Sequence, residues 1–486
     1  MAQRFFASLA LGALAGGLAC SGSPAGLPPS APRIDYVDGA IEPLLIGGQA
    51  VVLEGFGFGD VQGSGTVQFP RVGGGTVSAA IAAGGWSDRA IRATVPDSAS
   101  TGSVALTTAD GRRLTATVHV LPHVAFDPAT LTWQSRSVFQ SGPPAGVAIA
   151  AGVEPSGSAL KVVVYAAGGA EPLSGDSAFL VDSTVALARV APGGAIGTWK
   201  RDSSTRDLPA RRAFAALAVA NRYNSRFAGR ALYVIGGVDA AGRARATVFQ
   251  SIATSDTALG VFAPIEPLPA PVAGAIAVVR RGRIYVMGGA DSLGRPQRNV
   301  FVGRVGVNGD IDGWYVQPTL PGPRAYGGGV ALDDRVTVFG GISDSARLGG
   351  GLDPTASRLA ASDGAPVSLA SGFFTGSWGA TGPVLAEGRS QFATLPVGDV
   401  VLLVGGIYAS AGANATETIA APIIDGDSLG DFGGPVGTNT IAGLGGGTLV
   451  GPAGTTWMDG DGSFHGLVLG GIDLATLARR DGAWGY

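Results

Sequence analysis

Short apolar runs broken by glycine, proline and polar pairs fill this chain, a pattern of many short strands joined by tight turns. Between Pro32 and Pro122 the runs Val51–Leu53, Thr66–Phe69, Ala90–Val95, Val104–Thr107 and Leu114–Val120 have strand length and turn boundaries, which predicts a small β-sandwich. Beyond Pro122 one pattern recurs: an apolar strand that ends in a glycine doublet. It occurs at Gly168-Gly169, Gly236-Gly237, Gly288-Gly289, Gly340-Gly341, Gly405-Gly406 and Gly470-Gly471. The first glycines are 68, 52, 52, 65 and 65 residues apart (differences of those positions), a period proper to a repeat array. A second mark keeps phase with the doublets, a turn followed by an aromatic strand, as at Gly194 to Trp199, Thr257 to Phe262, Asp310 to Trp314 and Ser428 to Phe432, with Phe373-Phe374 a looser case. A third mark, Leu208-Pro209, Leu268-Pro269 and Leu320-Pro321, leads into the next apolar strand.

Composition narrows the classes. With 486 residues the chain exceeds one ordinary core, and its 81 glycines disfavour a helix-rich fold. A net charge of −3 and a charged fraction of 14% provide no basic footprint, which excludes nucleic acid as a partner. Arg4 followed by the apolar stretch Phe5 to Ala19 reads as a signal peptide over 1–20, too short for a comfortable membrane span, and the Pro/Gly/Ser-rich 21–31 as a flexible linker. Cys20 is the only cysteine, so an intrachain disulfide and a two-cysteine site are both ruled out.

Three resemblances follow from these residues. Cys20 at the end of the apolar stretch resembles a bacterial lipobox, although Leu18 stands two positions before it rather than three. The resemblance implies lipidation of Cys20, export, and a membrane anchor in the cell envelope, with Ser21 compatible with the outer membrane; cleavage by ordinary signal peptidase is the alternative. Pro32-Arg33-Ile34, Gly48, Leu53-Glu54-Gly55-Phe56-Gly57-Phe58-Gly59, Trp86-Ser87-Asp88, Ile91, Val95-Pro96 and Thr101-Gly102 resemble an IPT/TIG immunoglobulin-like domain over 32–122, with Phe58 and Trp86 in its core. The repeat over 123–486 resembles a kelch β-propeller, although the family's usual Tyr after the doublet is missing. The expected fold is therefore all-β, an immunoglobulin-like sandwich followed by a propeller. Six doublets predict six blades, closed by Thr132-Trp133 and Leu474 to Arg480 as complementary chain ends; Trp484 leaves seven open.

Chemistry enters mainly by exclusion. The copper-oxidase site of some kelch propellers needs a Cys-Tyr crosslink and two His ligands, and this propeller has no cysteine. His119, His123 and His465 are too few for a His-cluster metal site or a conventional Ser-His-Asp relay. Asp459, Asp461 and Ser463 resemble the start of a calcium loop, but Asp-Gly pairs also form plain hairpin turns. In four-stranded blades the loops after the doublets and the lead-ins to the next inner strand emerge on one side. That side gathers Arg212, Arg324 and Arg389 from the lead-ins, with Asp239, Arg243, Asp291, Arg295 and Arg298 from the loops. These arginines either recognise an acidic partner or hydrogen-bond neighbouring blades. The expectation is a non-enzymatic surface protein whose propeller loops bind a protein or polysaccharide. The alternative is a carbohydrate-active enzyme on a propeller scaffold.

Overall fold

The computed structural model describes residues 31–136, 146–156, 159–172, 179–201, 206–344, 356–381, 385–410, 417–424, 428–437, 441, 449–473, 478–479 and 483–486. The segment expected as a signal peptide over 1–20, with Cys20, and that expected as a linker up to 30 lie outside them. Pro32 to Tyr486 form one compact unit.

Two sheets open this unit. Arg33–Val37, Ala50–Phe56, Ala90–Thr94 and Ala80–Trp86 make one; Leu44–Ile46, Arg113–Leu121, Gly102–Thr107, Thr66–Pro70 and Thr76–Ser78 make the other. Alternating residues of both, among them Val51, Leu53, Phe69, Ile91 and Val104, share one core with Phe58 and Trp86. The indole N–H of Trp86 donates to the Phe58 carbonyl at 3.3 Å, so this aromatic pair packs rather than facing solvent.

Among the described residues six antiparallel sheets of four or more strands follow, and each is built around one doublet strand. Their innermost strands are Ala148–Ser156, Ala216–Asn221, Ile276–Arg280, Gly328–Ala331, Ala393–Val397 and Ala453–Met458, each paired with the doublet strand beside it. Each innermost strand neighbours the next, and the last neighbours the first. The apolar clusters repeat that order. Val163, Tyr165 and Leu187 pack with Val219, Leu232 and Phe249 between the first two sheets, and Trp457, Leu467 and Leu469 of the sixth pack with Val162, Val164 and Trp199 of the first. The architecture is all-β, made of many small sheets, and consistent with a β-propeller.

The doublets have a steric cause. Every first glycine has φ between 60° and 68° and every second between 83° and 116°, the left-handed region that L side chains avoid. A Cβ on Gly168 or Gly288 would also collide with the carbonyl oxygen of Arg212 or Arg324, in the segment leading into the following sheet. The second glycine uses that same carbonyl: Gly169 N–H donates to Arg212 O at 2.7 Å and Gly289 N–H to Arg324 O at 2.8 Å. The repeated motif is thus a staple between successive sheets.

The sixth sheet combines both ends of the described repeat, because Gln134–Ser135 pairs with Ala483–Gly485, which pairs with the doublet strand Phe464–Leu469. Trp133 is buried between the fifth and sixth sheets and its indole N–H donates to Thr418 Oγ1 at 3.0 Å. The third strand expected at Leu474 to Arg480 falls largely outside the described residues, and the place beside the doublet strand is taken by Ala483–Gly485, which carries Trp484. Ile472–Asp473 instead pairs with Ala478–Arg479 in a small hairpin after the doublet, as Ala170–Pro172 does with Phe179–Val181.

The two N-terminal sheets dock on the hairpins at one end of this array. The Asp38-Gly39 and Arg281-Gly282 turns, all four residues left-handed, meet tip to tip, and Arg281 Nε donates to Asp38 Oδ1 with both side chains buried. Arg226 pairs with Glu54 at 2.7 Å and Arg222 with Glu42 at 3.1 Å across the contact, and Arg280, 3.8 Å from Asp38, also pairs at 3.0 Å with Asp333 of the adjoining hairpin. Backbone bonds from Ile41 N–H to Ser225 O and from Glu42 N–H to Arg222 O fix the register.

Burial pushes six of the nine tyrosines up, Tyr223 and Tyr285 to about 12, and Tyr165, Tyr233, Tyr326 and Tyr486 in the same direction. Their folded values exceed the unfolded value of about 10, so the stability they contribute is intact below that pH and is lost as pH rises through the folded values. In an alkaline titration these tyrosines should ionise together with loss of the β-sheet dichroism. Reversible ionisation of all nine near pH 10 in a chain that remains folded would contradict their burial.

Candidate functional site

The residues after the second, third and fourth doublets share one end of the array with the lead-in segments. Val238 bridges both Ala213 and Ala244, Ala290 bridges Ala273 and Pro296, and Ile342 bridges Ala325 and Arg358. Ser292 Oγ, in the third sheet's loop, donates to Ala244 O in the second's, so the two loops touch.

The candidate arginines divide into two groups. Arg212, Arg324 and Arg389 are buried. Arg324 Nη1 donates to the carbonyls of Gly340 and Ala361 and its Nη2 to Asp363; Arg389 Nε donates to Gly405 O at 2.7 Å and its Nη2 to Glu417 O at 3.2 Å. Arg212 Nη2 bonds Thr247 Oγ1 at 2.6 Å, and its guanidinium lies 4.9 Å from the Phe249 ring centre. Arg324 and Arg389 tie the lead-in to the doublet strand of the same sheet, Arg212 ties it to Thr247 and Phe249 at the start of the strand after, and none of the three is offered to solvent. Burial lowers all three, Arg389 to about 10 against the opposing charge of Glu417.

Asp239 and Asp291 hold their own loops. Asp239 Oδ1 accepts from the backbone N–H of Ala241 and Arg243, and Asp291 Oδ1 from those of Leu293 and Arg295, two copies of one Asx turn. Partial burial raises both carboxyls, but the bonds from Arg243, Arg245 and Ala241 to the first, and from Arg295 and Leu293 to the second, hold them below the ordinary range. Arg243, Arg295 and Arg298 are exposed, with Arg295 paired to Asp291 and Arg298 Nε donating to Leu320 O at 2.6 Å. Arg211, beside the buried Arg212, is exposed on the same end. Sequence reasoning passed over it because adjacent arginines carry no mark of which one turns inward.

At this end six residues form a closed circuit of backbone hydrogen bonds. Phe214 N–H donates to Gly146 O, Gly274 to Phe214, Tyr326 to Gly274, Gln391 to Tyr326, Gly451 to Gln391 and Gly146 to Gly451, at 2.7 to 3.3 Å. All six are left-handed, including the non-glycine Phe214, Tyr326 and Gln391. Each is followed at once by the first residue lining a central channel of about 470 Å³: Val147, Ala215, Ala275, Gly327, Phe392 and Pro452.

Other chemistry-bearing residues are occupied locally. Asp461 Oδ1 accepts from the N–H and Oγ of Ser463, and Asp459 Oδ2 accepts from Gly193 N–H at 2.6 Å, which closes the hairpin turn and ties it to the first sheet. His465 Nε2 lies 3.1 Å from Asp459 and 3.4 Å from Ser463 Oγ, both on one ring nitrogen, whereas a proton relay needs them on opposite nitrogens. His123 pairs with Asp399 and His119 with Glu42. Among the described residues no group of three or more His, Cys, Asp or Glu is placed to hold a metal ion.

Six sheets with a glycine-doublet strand each are consistent with a kelch-like β-propeller, and one comparison supports that class. A stretch of 161 residues, 33% of this chain, is 26% identical to beta-scruin of Limulus polyphemus, a kelch-repeat protein. The match spans 16% of that protein's length. No protein-family model matches the chain.

Proposed function

We propose that the chain is an exported, non-enzymatic interaction scaffold: a six-bladed kelch-type propeller carrying a TIG-like sandwich, anchored through Cys20, that binds an acidic protein or polysaccharide on its loop end. The closed succession of six sheets, with Gln134–Ser135 completing the last, supports the blade count. The observation that carries the function is the exposure of Arg211, Arg243, Arg295 and Arg298 on adjoining loops, after the buried arginines and the turn aspartates are accounted for. Arg forks favour carboxylate and sulfate groups in paired geometry. A kelch-repeat relative fits a scaffold that presents loops to protein partners.

The test is binding of the full chain to immobilised poly-glutamate and to a sulfated polysaccharide. Replacing Arg211, Arg243 and Arg295 together with Gln should weaken binding at least about tenfold, a loss of about 1.4 kcal/mol, while thermal stability holds. Undiminished binding would sink this face.

A further inference from the structure

We infer that the central channel is a blind, single-mouthed binding well for a neutral amphipathic molecule, sealed at the loop end by Phe214, Tyr326 and Gln391. Three observations carry this independently of the arginine face.

The first is the seal. In the six-residue circuit every N–H and every carbonyl that faces around the mouth is paired with a neighbour, so the backbone there forms a closed hoop. Large side chains stand on it where glycines make room. A Cβ on Gly146 would lie 2.5 Å from the Phe214 ring, and one on Gly274 would collide with the Tyr326 ring, so each aromatic lies over the glycine before it. The two rings meet edge to face at 5.7 Å, and both are buried. Holding non-glycine residues left-handed is unfavourable, and such conformations persist where the surroundings enforce them. The stopper is therefore a built feature rather than a collapsed loop.

The second is the wall. The lining residues are mostly apolar, from small ones such as Ala148, Ala216, Ala277 and Ala393 to Leu217 and Phe392, with Thr394 and Arg280 the polar exceptions. The innermost strands are the edges of their sheets, so the same wall presents backbone N–H and C=O groups outside the ladders, among which Ala151 N–H donates to Thr455 Oγ1 at 3.0 Å. Arg280, at the other end, is neutralised by Asp333 at 3.0 Å and Asp38 at 3.8 Å. A wall of this kind rejects ions and accepts a molecule with an apolar body and neutral hydrogen-bonding groups, and about 470 Å³ lies within the range of small-molecule sites.

The third is an unsatisfied donor at the sealed end. Gln391 is 5% exposed, and its Nε2 has no hydrogen-bond partner. An orphaned buried amide N–H is unfavourable. Gln391 directly precedes the lining residue Phe392, so this donor lies at the sealed end of the well.

The probe is N-phenyl-1-naphthylamine, a neutral fluorophore with an apolar body and one N–H, titrated into the full chain. One saturable site is expected, weakened at least tenfold by Ala277→Phe and unchanged by the triple arginine variant of the loop face. Because Ala277→Phe can also disturb folding, a second measurement uses thiol labelling. Cys20 is the only cysteine, so Ala277→Cys in a Cys20→Ser background places one thiol in the wall. The probe should slow its reaction with N-ethylmaleimide several-fold. Tyr326→Gly, which removes the ring at a position where glycine is favoured, should speed that reaction by opening a second mouth. Absence of saturable binding to the folded chain, or no protection of the thiol, would overturn the well. An unchanged labelling rate in Tyr326→Gly would overturn the seal.

Discussion

Gly288→Ala is expected to destabilise the chain by roughly 2–5 kcal/mol, enough to leave many domains unfolded. Two causes add. At φ +63° an L side chain is strained by about 1–2 kcal/mol, and the new methyl collides with the Arg324 carbonyl, an overpacking cost of about 1–3 kcal/mol. That carbonyl cannot retreat freely, because it accepts the N–H of Gly289 and belongs to the lead-in that Arg324 fastens to Gly340 O. Gly193→Ala is the control: its φ is +83° but nothing lies near its Cβ, so only the strain of about 1–2 kcal/mol should remain. Urea unfolding of both variants measures the difference. Equal losses would show that the doublets serve turn geometry alone and not the staple between sheets.

The second large effect is expected at the docked turns. Asp38→Ala leaves Arg281 buried without its carboxylate, and breaking a buried pair from one side destabilises by about 3–5 kcal/mol. Arg281 retains carbonyl partners at Asp333 and Ala50, which places the loss toward the lower end of that range. The effect should be local: amide exchange should rise at Ile41 and Glu42, which bond across the contact, while the innermost strands stay protected. In the cycle with Arg281→Ala the double variant should lose less than the sum of the single ones by at least about 0.5 kcal/mol. Strict additivity would mean that the two tips touch without stabilising each other.

Sequence reasoning reached the repeats because their cause is local and severe. A left-handed glycine against a neighbouring carbonyl tolerates no other residue, so the doublet marks each sheet. The aromatic marks were legible for a similar reason: Trp199, Phe262 and Phe432 fill the clefts between adjoining sheets, where only a large ring spans the gap. Thr132-Trp133 pointed to the closing strand, which falls two residues later at Gln134–Ser135.

What stayed hidden was orientation. Arg211 and Arg212 are adjacent, yet one is exposed and the other buried against Phe249, and only the packed fold decides which. The hoop at the channel mouth was equally silent, because its six members are Gly, Phe, Gly, Tyr, Gln and Gly, a set with no common residue type. They are united by backbone conformation, which glycine permits and Phe214, Tyr326 and Gln391 adopt only under the constraint of the circuit. The docking of Asp38 on Arg281 joins residues 243 positions apart and left no periodic trace.

The most direct test of the scaffold reading is an array of glycans and secreted proteins probed with the full chain beside the Arg211, Arg243 and Arg295 triple variant, with product analysis of every glycan bound. The account predicts capture of acidic partners by the native chain, loss in the variant, and no change in the bound glycans. Shortened or unsaturated glycan products, or capture that survives loss of all three arginines, would contradict it.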